Sequence, residues 1–326
     1  MSLDPRAAAG GTVAVVDLDT RSRPERVARA AVKRAFASRA ARRADVLYKK
    51  IDSTLKGHVV AELSAARRAL GRRPVLLAPA FPAQGRLTRD ARLVLGGKSC
   101  SADMRAMLSR AGLPATLVDL RTIRGPGLGA ALQAALAIGA RGIVCDAVTD
   151  ADLDRIARAG MALRPRPLFV GSAGLARALA RTLPRRAAAP RPALERRPVV
   201  VAVGSASPVS ARQARRIARA PGAILVQLAW TRPPTPRDLP AVRRLGRLVA
   251  QASPRVHYVL TGGETSRAVL GARGIRDYRL LGEVEPGVPF GVARDGTLVC
   301  TKAGAFGGTD TLARCVQRLH KEMKRT

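Results

Sequence analysis

Aromatic residues are scarce in this 326-residue sequence: one Trp, three Tyr and five Phe make up 3% of the chain. Proteins that bind single-stranded nucleic acids stack bases on aromatic side chains, so a base-stacking platform is disfavoured. Cysteine is also rare. Its four positions, Cys100, Cys145, Cys300 and Cys315, have no metal-ligand spacing and are too sparse for a disulfide scaffold. The sequence therefore predicts a protein with reduced cysteines and no cysteine-based metal centre.

Long apolar runs are missing as well. The longest, around residues 130–140, contains Gln133 and Gly139 and is too short to span a bilayer. The N-terminal segment carries Asp4 and lacks a basic region followed by an apolar core, so it does not resemble a secretory signal. With 47% hydrophobic residues, the chain can bury a sizeable core, which excludes wholesale disorder. We expect a soluble, cytoplasmic protein with no membrane partner.

Acidic residues are few: 23 Asp and Glu stand against 58 Lys and Arg, a formal net charge of +35. This charge alone would favour a nucleic-acid-binding protein. Nearly all of the excess is arginine, and it is spread along Ala-rich helical stretches such as residues 26–43 and 212–219. A solvated basic surface that attracts polyanions without specificity at low salt is the favoured interpretation. A dedicated nucleic-acid-binding protein remains the alternative from a different functional class.

Short apolar or β-branched runs alternate with longer Ala/Leu/Arg helical patterns, which indicates an α/β fold with parallel sheets covered by helices. The predicted strands are Thr12 to Val16, Val46 to Tyr48, Val75 to Ala78, Ala115 to Asp119, Gly142 to Cys145, Leu168 to Val170, Val199 to Val203, Ile224 to Leu228, Val256 to Leu260 and Leu298 to Thr301. The predicted helices are Pro24 to Ala40, Val59 to Leu70, Ala102 to Ala111, Gly129 to Ile138 and Asp152 to Ala159.

Proline marks the domain organisation. The segment LPRRAAAPRPALERRP, from Leu183 to Pro198, contains four prolines and no apolar periodicity, which is typical of a linker. The strand and helix alternation restarts after it. We therefore predict two domains, residues 1–190 and 191–326. A second Pro-rich segment, Thr231 to Leu239, is interpreted as a connection.

Three predicted strands of the second domain each run into a turn of Gly, Ser and Thr and then into a helical pattern. They begin VVVAVGSASP at Val199, HYVLTGGETS at His257 and LVCTKAGAFGGTD at Leu298. Such turns let backbone N–H groups converge, and the helix N-terminus adds partial positive charge, so a phosphate is favoured there. Open α/β sheets bind ligands at the carboxyl ends of their strands, where all three turns are expected.

The candidate nucleotide-binding residues in these turns are Ser205, Ser207, Gly262, Gly263, Glu264, Thr265, Lys302, Gly304 and Gly307. Lys302 is expected to neutralise a β- or γ-phosphate. The turns match neither GxxxxGK[ST] nor GxGxxG, and glycine also occurs in such loops for ordinary steric reasons. Coincidence is therefore the alternative to nucleotide binding.

In the first domain, YKKIDSTLKGH follows a predicted strand at Tyr48 and precedes a predicted helix. Lys50 and Lys56 could bind a carboxylate or a transferring phosphoryl group, and Asp52, with Ser53 and Thr54, could bind hydroxyls. A helix N-cap with a solvated basic flank is an equally good interpretation. Two more polar turns, residues 78–88 and 171–175, have the same strand–turn form, and the first could face the same cleft.

The motifs KKIDSTLKG, APAFPAQGRLT, GSAGLARAL, GSAS, TGGETSRAVL, GEVEPGVPFG and KAGAFGGTD, in this order, resemble the four-carbon acid sugar kinase family. The likeness runs from about residue 13 to residue 319. It implies an N-terminal substrate domain, a C-terminal nucleotide-binding domain and an active site in the cleft between them. It also implies ATP with a divalent cation, Mg²⁺, and an acceptor such as threonate, erythronate or a 3-oxo-tetronate.

Residue by residue, the resemblance puts ATP against Ser205, Ser207, residues 262–265 and Gly304, and the acid sugar against residues 50–56. Asp52 is the candidate for orienting or deprotonating the acceptor hydroxyl. Lys50 is expected to meet charge on the transferring phosphoryl group. No metal ligand is assigned.

Two departures from the family pattern stand out. Members usually open with an ADDxTGA-type motif, whereas this sequence starts MSLDPRAAAGGTVAVVDLD, so we expect an N-terminally incomplete substrate domain. Lys56 stands where arginine is expected. This replaces a planar guanidinium, which can donate two parallel hydrogen bonds, by the compact charge of an ammonium. A member that binds nucleotide without catalysis is thus an alternative, and the sequence is compatible with a homodimer.

Overall fold

The computed structural model describes residues 13–20, 23–184, 194–218, 221–232, 235, 238–252 and 255–324. The chain divides into two compact units. The amino-terminal unit holds Leu18–Ala187, and the carboxyl-terminal unit holds Ala188–Thr326 together with Gly11–Asp17. Of the predicted linker, residues 185–193 lie outside the described residues.

The amino-terminal unit is built on a parallel sheet. Its strands are β1 (Leu47–Lys50), β2 (Val75–Ala78), β3 (Arg86–Arg89), β4 (Arg92–Leu95), β5 (Lys98–Ser99), β6 (Ala115–Val118), β7 (Gly142–Cys145) and β8 (Leu168–Gly171). Its helices are α1 (Glu25–Ala37), α2 (Arg39–Arg43), α3 (Val59–Leu70), α4 (Met104–Arg110), α5 (Leu120–Arg124), α6 (Leu128–Ala137), α7 (Asp150–Ala162) and α8 (Ala173–Thr182). Five strands pair in parallel in the order β1-β8-β2-β7-β6.

Strands β2, β7 and β8 are apolar along their whole length and buried at every position, because helices cover both faces of the sheet. Alternate residues supply two separate cores. Leu77 packs in a core with Leu63 of α3. Leu76 and Phe169 pack in the other core with Ile156 of α7.

Strands β3, β4 and β5 form a small antiparallel sheet that the sequence did not predict. The turn between β3 and β4 contains Asp90 and Ala91 with φ of 52° and 58°, a left-handed conformation that favours glycine. The buried carboxylate of Asp146, after β7, accepts hydrogen bonds from both backbone N–H groups, at 2.7 Å and 3.1 Å. A contact distant in sequence thus stabilises this left-handed turn.

The carboxyl-terminal unit has a mixed sheet. Its strands are β9 (Val199–Val203), β10 (Ala223–Gln227), β11 (His257–Thr261), β12 (Tyr278–Glu285), β13 (Val288–Ala293) and β14 (Leu298–Lys302). Its helices are α9 (Pro208–Ile217), α10 (Leu239–Ala252), α11 (Gly263–Ala272) and α12 (Thr311–Met323). The order is β10-β9-β11-β14-β13-β12, in which the first four strands are parallel and the last two antiparallel.

The two faces of this sheet are again separately covered. Val201 and Val259 face a core closed by Leu312 of α12. Tyr258 packs on the other side with Leu245 of α10. The predicted fold class, α/β with a largely parallel helix-covered sheet in each of two domains, is confirmed.

Two predicted elements are wrong. In the predicted strand Thr12 to Val16, the described residues 13–16 form no strand: only Val16 takes part in a bridge, and Val13 and Val15 are 68% and 47% exposed. The predicted helix Pro24 to Ala40 breaks at Ser38, whose side chain accepts a hydrogen bond from the Ala41 N–H and so begins α2. The hairpin of β12 and β13 was not predicted.

Candidate functional site

A cavity of about 380 Å³ lies in the carboxyl-terminal unit, and all three predicted glycine-rich turns contribute to its lining. The turn after β9 contributes Gly204, Ser205 and Ala206, the turn after β11 contributes residues 262–265, and the turn after β14 contributes Gly304. Strands β9, β11 and β14 are parallel neighbours, so their carboxyl ends meet at one edge. Six predicted nucleotide-binding residues thus line one cavity: Ser205, Gly262, Gly263, Glu264, Thr265 and Gly304.

The three turns approach each other too closely for side chains at two of the glycines. A Cβ atom at Gly304 would lie 2.0 Å from the Oγ of Ser205, and one at Gly204 would lie 2.3 Å from the Oγ1 of Thr265. Gly262 has a φ of +102°, a conformation that side chains rarely adopt. Glycine therefore permits a cradle, formed by the glycine-rich turns and the hydroxyls of Ser205 and Thr265, next to the N-terminus of α11.

Lys302, the predicted partner of a β- or γ-phosphate, contacts the third turn. Its side chain is buried, with 3% of its surface exposed, and it is not among the residues that line the cavity. Its ammonium donates to the carbonyl oxygens of Ala303, Gly304 and Phe306, at 2.9, 3.1 and 3.1 Å. Burial lowers the pKa of Lys302. Because an ammonium has three hydrogens, these carbonyls account for all of its donors, and Lys302 holds the third turn. A contact between Lys302 and a β- or γ-phosphate stays a prediction.

Ser207 and Gly307 are also absent from the residues lining this cavity. The Ser207 N–H donates to the Oγ of Ser205 at 3.2 Å and so shapes the first turn. Gly307 has a φ of +80°, and a Cβ atom there would lie 2.1 Å from the Oγ1 of Thr311. Both residues determine the shape of the turns.

Two polar residues of α9 that the sequence did not suggest also hold the third turn. The Ser210 hydroxyl donates to the Gly304 carbonyl at 2.7 Å. The Gln213 amide donates to the carbonyls of Phe306 and Gly308, at 3.1 Å and 2.7 Å. The sequence feature that could have indicated them is their spacing of three positions, because a helix places such residues on the same face. Both side chains are buried here.

The rest of the cavity wall comes from the Pro-rich segment Thr231 to Leu239, which the sequence predicts to be a connection, and from one residue on each side of it. Trp230, Thr235, Asp238, Leu239 and Val242 line it. The indole N–H of Trp230 donates to the Gly204 carbonyl at 3.2 Å. Hydrogen bonds from Arg232 and from Thr235 hold the pKa of Asp238 far below its usual range. Residues 231–239, as far as they are described, therefore belong to the site.

In the amino-terminal unit, the predicted substrate run begins at the end of β1. Lys50 and Lys56 are exposed. The Asp52 carboxylate accepts from the N–H of Thr54 at 2.9 Å and from its hydroxyl, which fixes the turn around Ser53. The run is therefore a folded polar turn with cations at both ends.

A second polar turn meets the first. Arg86, at the start of β3, donates to the hydroxyl of the buried Ser53 at 2.6 Å. The Ser172 hydroxyl of the third turn donates to the Ala80 carbonyl of the second, at 2.9 Å. These two hydrogen bonds connect all three polar turns of this unit. Arg86, a cation that the sequence did not single out, forms the bond between the first two.

Lys49 has a structural role. Its ammonium lies 2.6 Å from the carboxylate of Glu62 in a buried ion pair between β1 and α3. Strand alternation points Lys49 inward and Lys50 outward, so the two adjacent lysines differ in environment.

Within the described residues, no three His, Cys, Asp or Glu side chains are grouped so as to hold a metal ion. In the same part of the chain, none of the helices is long and apolar enough to cross a membrane.

Two different family models match the two parts of the chain. Residues 2–179 match a family model for a sugar-binding N-terminal domain, and residues 240–312 match one for a nucleotide-binding C-terminal domain. The chain is therefore a two-domain α/β protein of the sugar-binding and nucleotide-binding class.

Individual proteins that are similar to this chain identify the family more closely. The D-threonate kinase of Cupriavidus necator is 36% identical over 330 residues, covering 82% of this chain and 78% of that enzyme. A 3-oxo-tetronate kinase of Pseudomonas fluorescens is 28% identical, covering 82% and 77%. This chain belongs to the four-carbon acid sugar kinase family. A crystal structure of a Haemophilus influenzae protein, 21% identical, has the same fold, with a TM-score of 0.73 over 94% of this chain and 89% of that one.

Proposed function

We propose that this protein is a kinase that transfers the γ-phosphoryl group of ATP to a hydroxyl of a four-carbon acid sugar, with D-threonate as the preferred acceptor. The observation that carries the proposal is the convergence of three glycine-rich turns on one cavity in the unit that matches the nucleotide-binding family model. D-threonate is favoured because the D-threonate kinase relatives are 31% to 36% identical, against 28% and 29% for the 3-oxo-tetronate kinases.

The glycine-lined end of the cavity is the proposed phosphate site. Backbone N–H groups of the turns and the hydroxyls of Ser205 and Thr265 would bind phosphate oxygens beside the N-terminus of α11. Phosphoryl transfer requires little covalent chemistry from the protein, so positioning and charge stabilisation supply most of the catalysis. Lys302 would contribute by holding the turn that carries Gly304.

Mg²⁺ is expected to enter with the ATP phosphates, where it would neutralise charge on the transferring group. This ion usually keeps several waters and takes only one or two protein carboxylates. Glu264, an exposed carboxylate at the glycine-lined end, fits that requirement. A site completed by nucleotide also agrees with the lack of a preformed acidic cluster among the described residues.

The acid sugar is assigned to the polar turns of the amino-terminal unit. The planar guanidinium of Arg86 can donate two parallel hydrogen bonds to a carboxylate. Arg86 is bonded to Ser53, and Lys56, three residues after Ser53, adds a second positive charge. Asp52, held in orientation by Thr54, is proposed to orient or deprotonate the acceptor hydroxyl. Lys50 is proposed to meet charge on the transferring phosphoryl group.

A coupled assay of ADP release tests the proposal with D-threonate, L-threonate, D-erythronate and the 3-oxo-tetronates as acceptors. Turnover should require both ATP and acid, with the highest kcat/KM for D-threonate. Asp52→Asn should bind ATP normally in calorimetry and lose turnover. Normal ATP binding with no turnover on any acceptor would instead support a protein that only binds nucleotide. A homodimer, a cytoplasmic location and the absence of specific nucleic-acid binding stay predictions.

A further inference from the structure

The cavity of the carboxyl-terminal unit has two chemically different parts. One part is the glycine and hydroxyl cradle described above. The other contains the apolar side chains of Ala206, Trp230, Leu239 and Val242. A nucleotide has the same division, because a flat, weakly hydrated base is joined through ribose to a highly charged polyphosphate. The lining therefore suggests which part of the ligand each side receives.

Trp230 is held in a defined orientation at this apolar part. Its single polar atom, the indole N–H, donates to the carbonyl of Gly204, a residue of the phosphate cradle itself. The side chain is only half-buried, and it lines the cavity. With its N–H already bonded, the indole offers a π-face and no free hydrogen-bond donor.

We infer that Trp230 is the platform on which the base of the nucleotide stacks, with Leu239 and Val242 contributing the adjacent apolar wall. The inference rests on the proposed function, since it takes the ligand to be ATP. Stacking on an aromatic face tolerates any base, so Trp230 recognises the presence of a base rather than its edge. Its bond to Gly204 fixes the orientation of the indole.

The competing explanation is that Trp230 only holds the segment after β10 against the turn after β9. Two substitutions separate these roles, because both remove the indole N–H. Trp230→Phe keeps an aromatic face, whereas Trp230→Leu does not. A platform predicts that Trp230→Phe binds ATP within about threefold of the unchanged protein and that Trp230→Leu loses about tenfold or more. A holding role predicts equal losses in both variants.

Inorganic tripolyphosphate provides the matched ligand, since it has the phosphates of ATP without the base. Its affinity, measured by calorimetry, should be the same in both variants and in the unchanged protein. Equal weakening of tripolyphosphate and ATP in both variants would overturn the inference in favour of the holding role.

Trp230 is the only tryptophan of the chain, so the intrinsic fluorescence of the full-length protein reports on this one side chain. Titration with ATP or ADP should quench the emission in a saturable way, and tripolyphosphate should leave it unchanged. If calorimetry shows ATP binding while the emission stays constant and Trp230→Leu binds as tightly as the unchanged protein, the inference fails and the proposed function stands. If calorimetry shows no ATP binding, the proposed function fails, and the inference fails with it.

Discussion

The Arg86 guanidinium donates a hydrogen bond to the Ser53 hydroxyl at 2.6 Å, and this bond joins two polar turns that lie 33 residues apart in the chain. Ser53 is 7% exposed, so the bond fixes the guanidinium at the turn that also carries Asp52 and Lys56. An arginine has five N–H donors in one plane. When one of them is held in place, the others are already oriented to donate two parallel hydrogen bonds to a planar anion.

Replacing Arg86 tests the carboxylate site. Arg86→Ala should raise KM for the acid sugar about tenfold or more and leave ATP affinity unchanged, because charged hydrogen bonds contribute roughly 1.5 to 3 kcal/mol. Arg86→Lys should be intermediate, since lysine lacks the fork. Arg89→Ala, at the exposed far end of β3, is the control and should behave as the unchanged protein. Steady-state kinetics with equal KM values for Arg86→Ala and Arg89→Ala would remove Arg86 from the site.

Gly304 and Gly308 lie in the same turn and differ in the space around them. A Cβ atom at Gly304 would lie 2.0 Å from the Oγ of Ser205, whereas nothing lies within 4 Å of one at Gly308. Gly304→Ala should therefore displace Ser205 and weaken ATP binding about tenfold or more, an overpacking effect of roughly 1 to 3 kcal/mol. Gly308→Ala should bind ATP within about twofold of the unchanged protein. Calorimetry on both variants checks this, and equal ATP affinities would contradict the cradle as described.

Lys302 should act through the turn that it holds. Lys302→Met leaves three carbonyls without the ammonium and should lower the free energy of unfolding of the carboxyl-terminal unit by about 2 kcal/mol or more. ATP and AMP affinities should fall by the same factor, because the variant disturbs the turn rather than a distal phosphate. Lys321→Met, exposed on α12, is the control. A much larger loss for ATP than for AMP would restore the phosphate contact expected from the sequence.

Much of the fold was predictable because buried parallel strands have a strong local signal, and the meeting of the glycine-rich turns follows from parallel topology. The partners of side chains were not predictable in the same way. The sequence places Lys302 at a strand end, but its acceptors are carbonyls of a folded turn. Trp230 precedes a Pro-rich segment that carries no periodic signal. The left-handed turn at Asp90 depends on Asp146, 56 residues away.

Asp152 gives the amino-terminal unit a measurable pH dependence. Burial raises the pKa of this carboxyl, but hydrogen bonds from Arg124 and from the N–H groups of Val148 and Thr149 outweigh it and lower the pKa from 3.8 to about 2. A carboxyl whose pKa is depressed on folding stabilises the protein above its unfolded pKa and loses that effect as the pH falls through the folded value.

The stabilisation from Asp152 should thus be complete at neutral pH, at about 2 kcal/mol, and should disappear between about pH 4 and pH 2. Denaturant unfolding of the unchanged protein and Asp152→Asn across this range checks it. Asp154→Asn on the same helix removes a surface ion pair with Arg181 and should change the unfolding free energy by less than about 1 kcal/mol. A constant difference between the unchanged protein and Asp152→Asn at all pH values would contradict the assignment.

The most direct test of kinase activity is the identity of the product. The full-length protein is incubated with ATP, Mg²⁺ and D-threonate, and the reaction is followed by ³¹P NMR. Phosphoryl transfer to the acid sugar should give a new phosphomonoester resonance that grows in step with ADP, without release of inorganic phosphate, and that is absent when D-threonate is omitted. ADP accompanied only by inorganic phosphate, or unchanged ATP, would contradict phosphoryl transfer to the acid sugar.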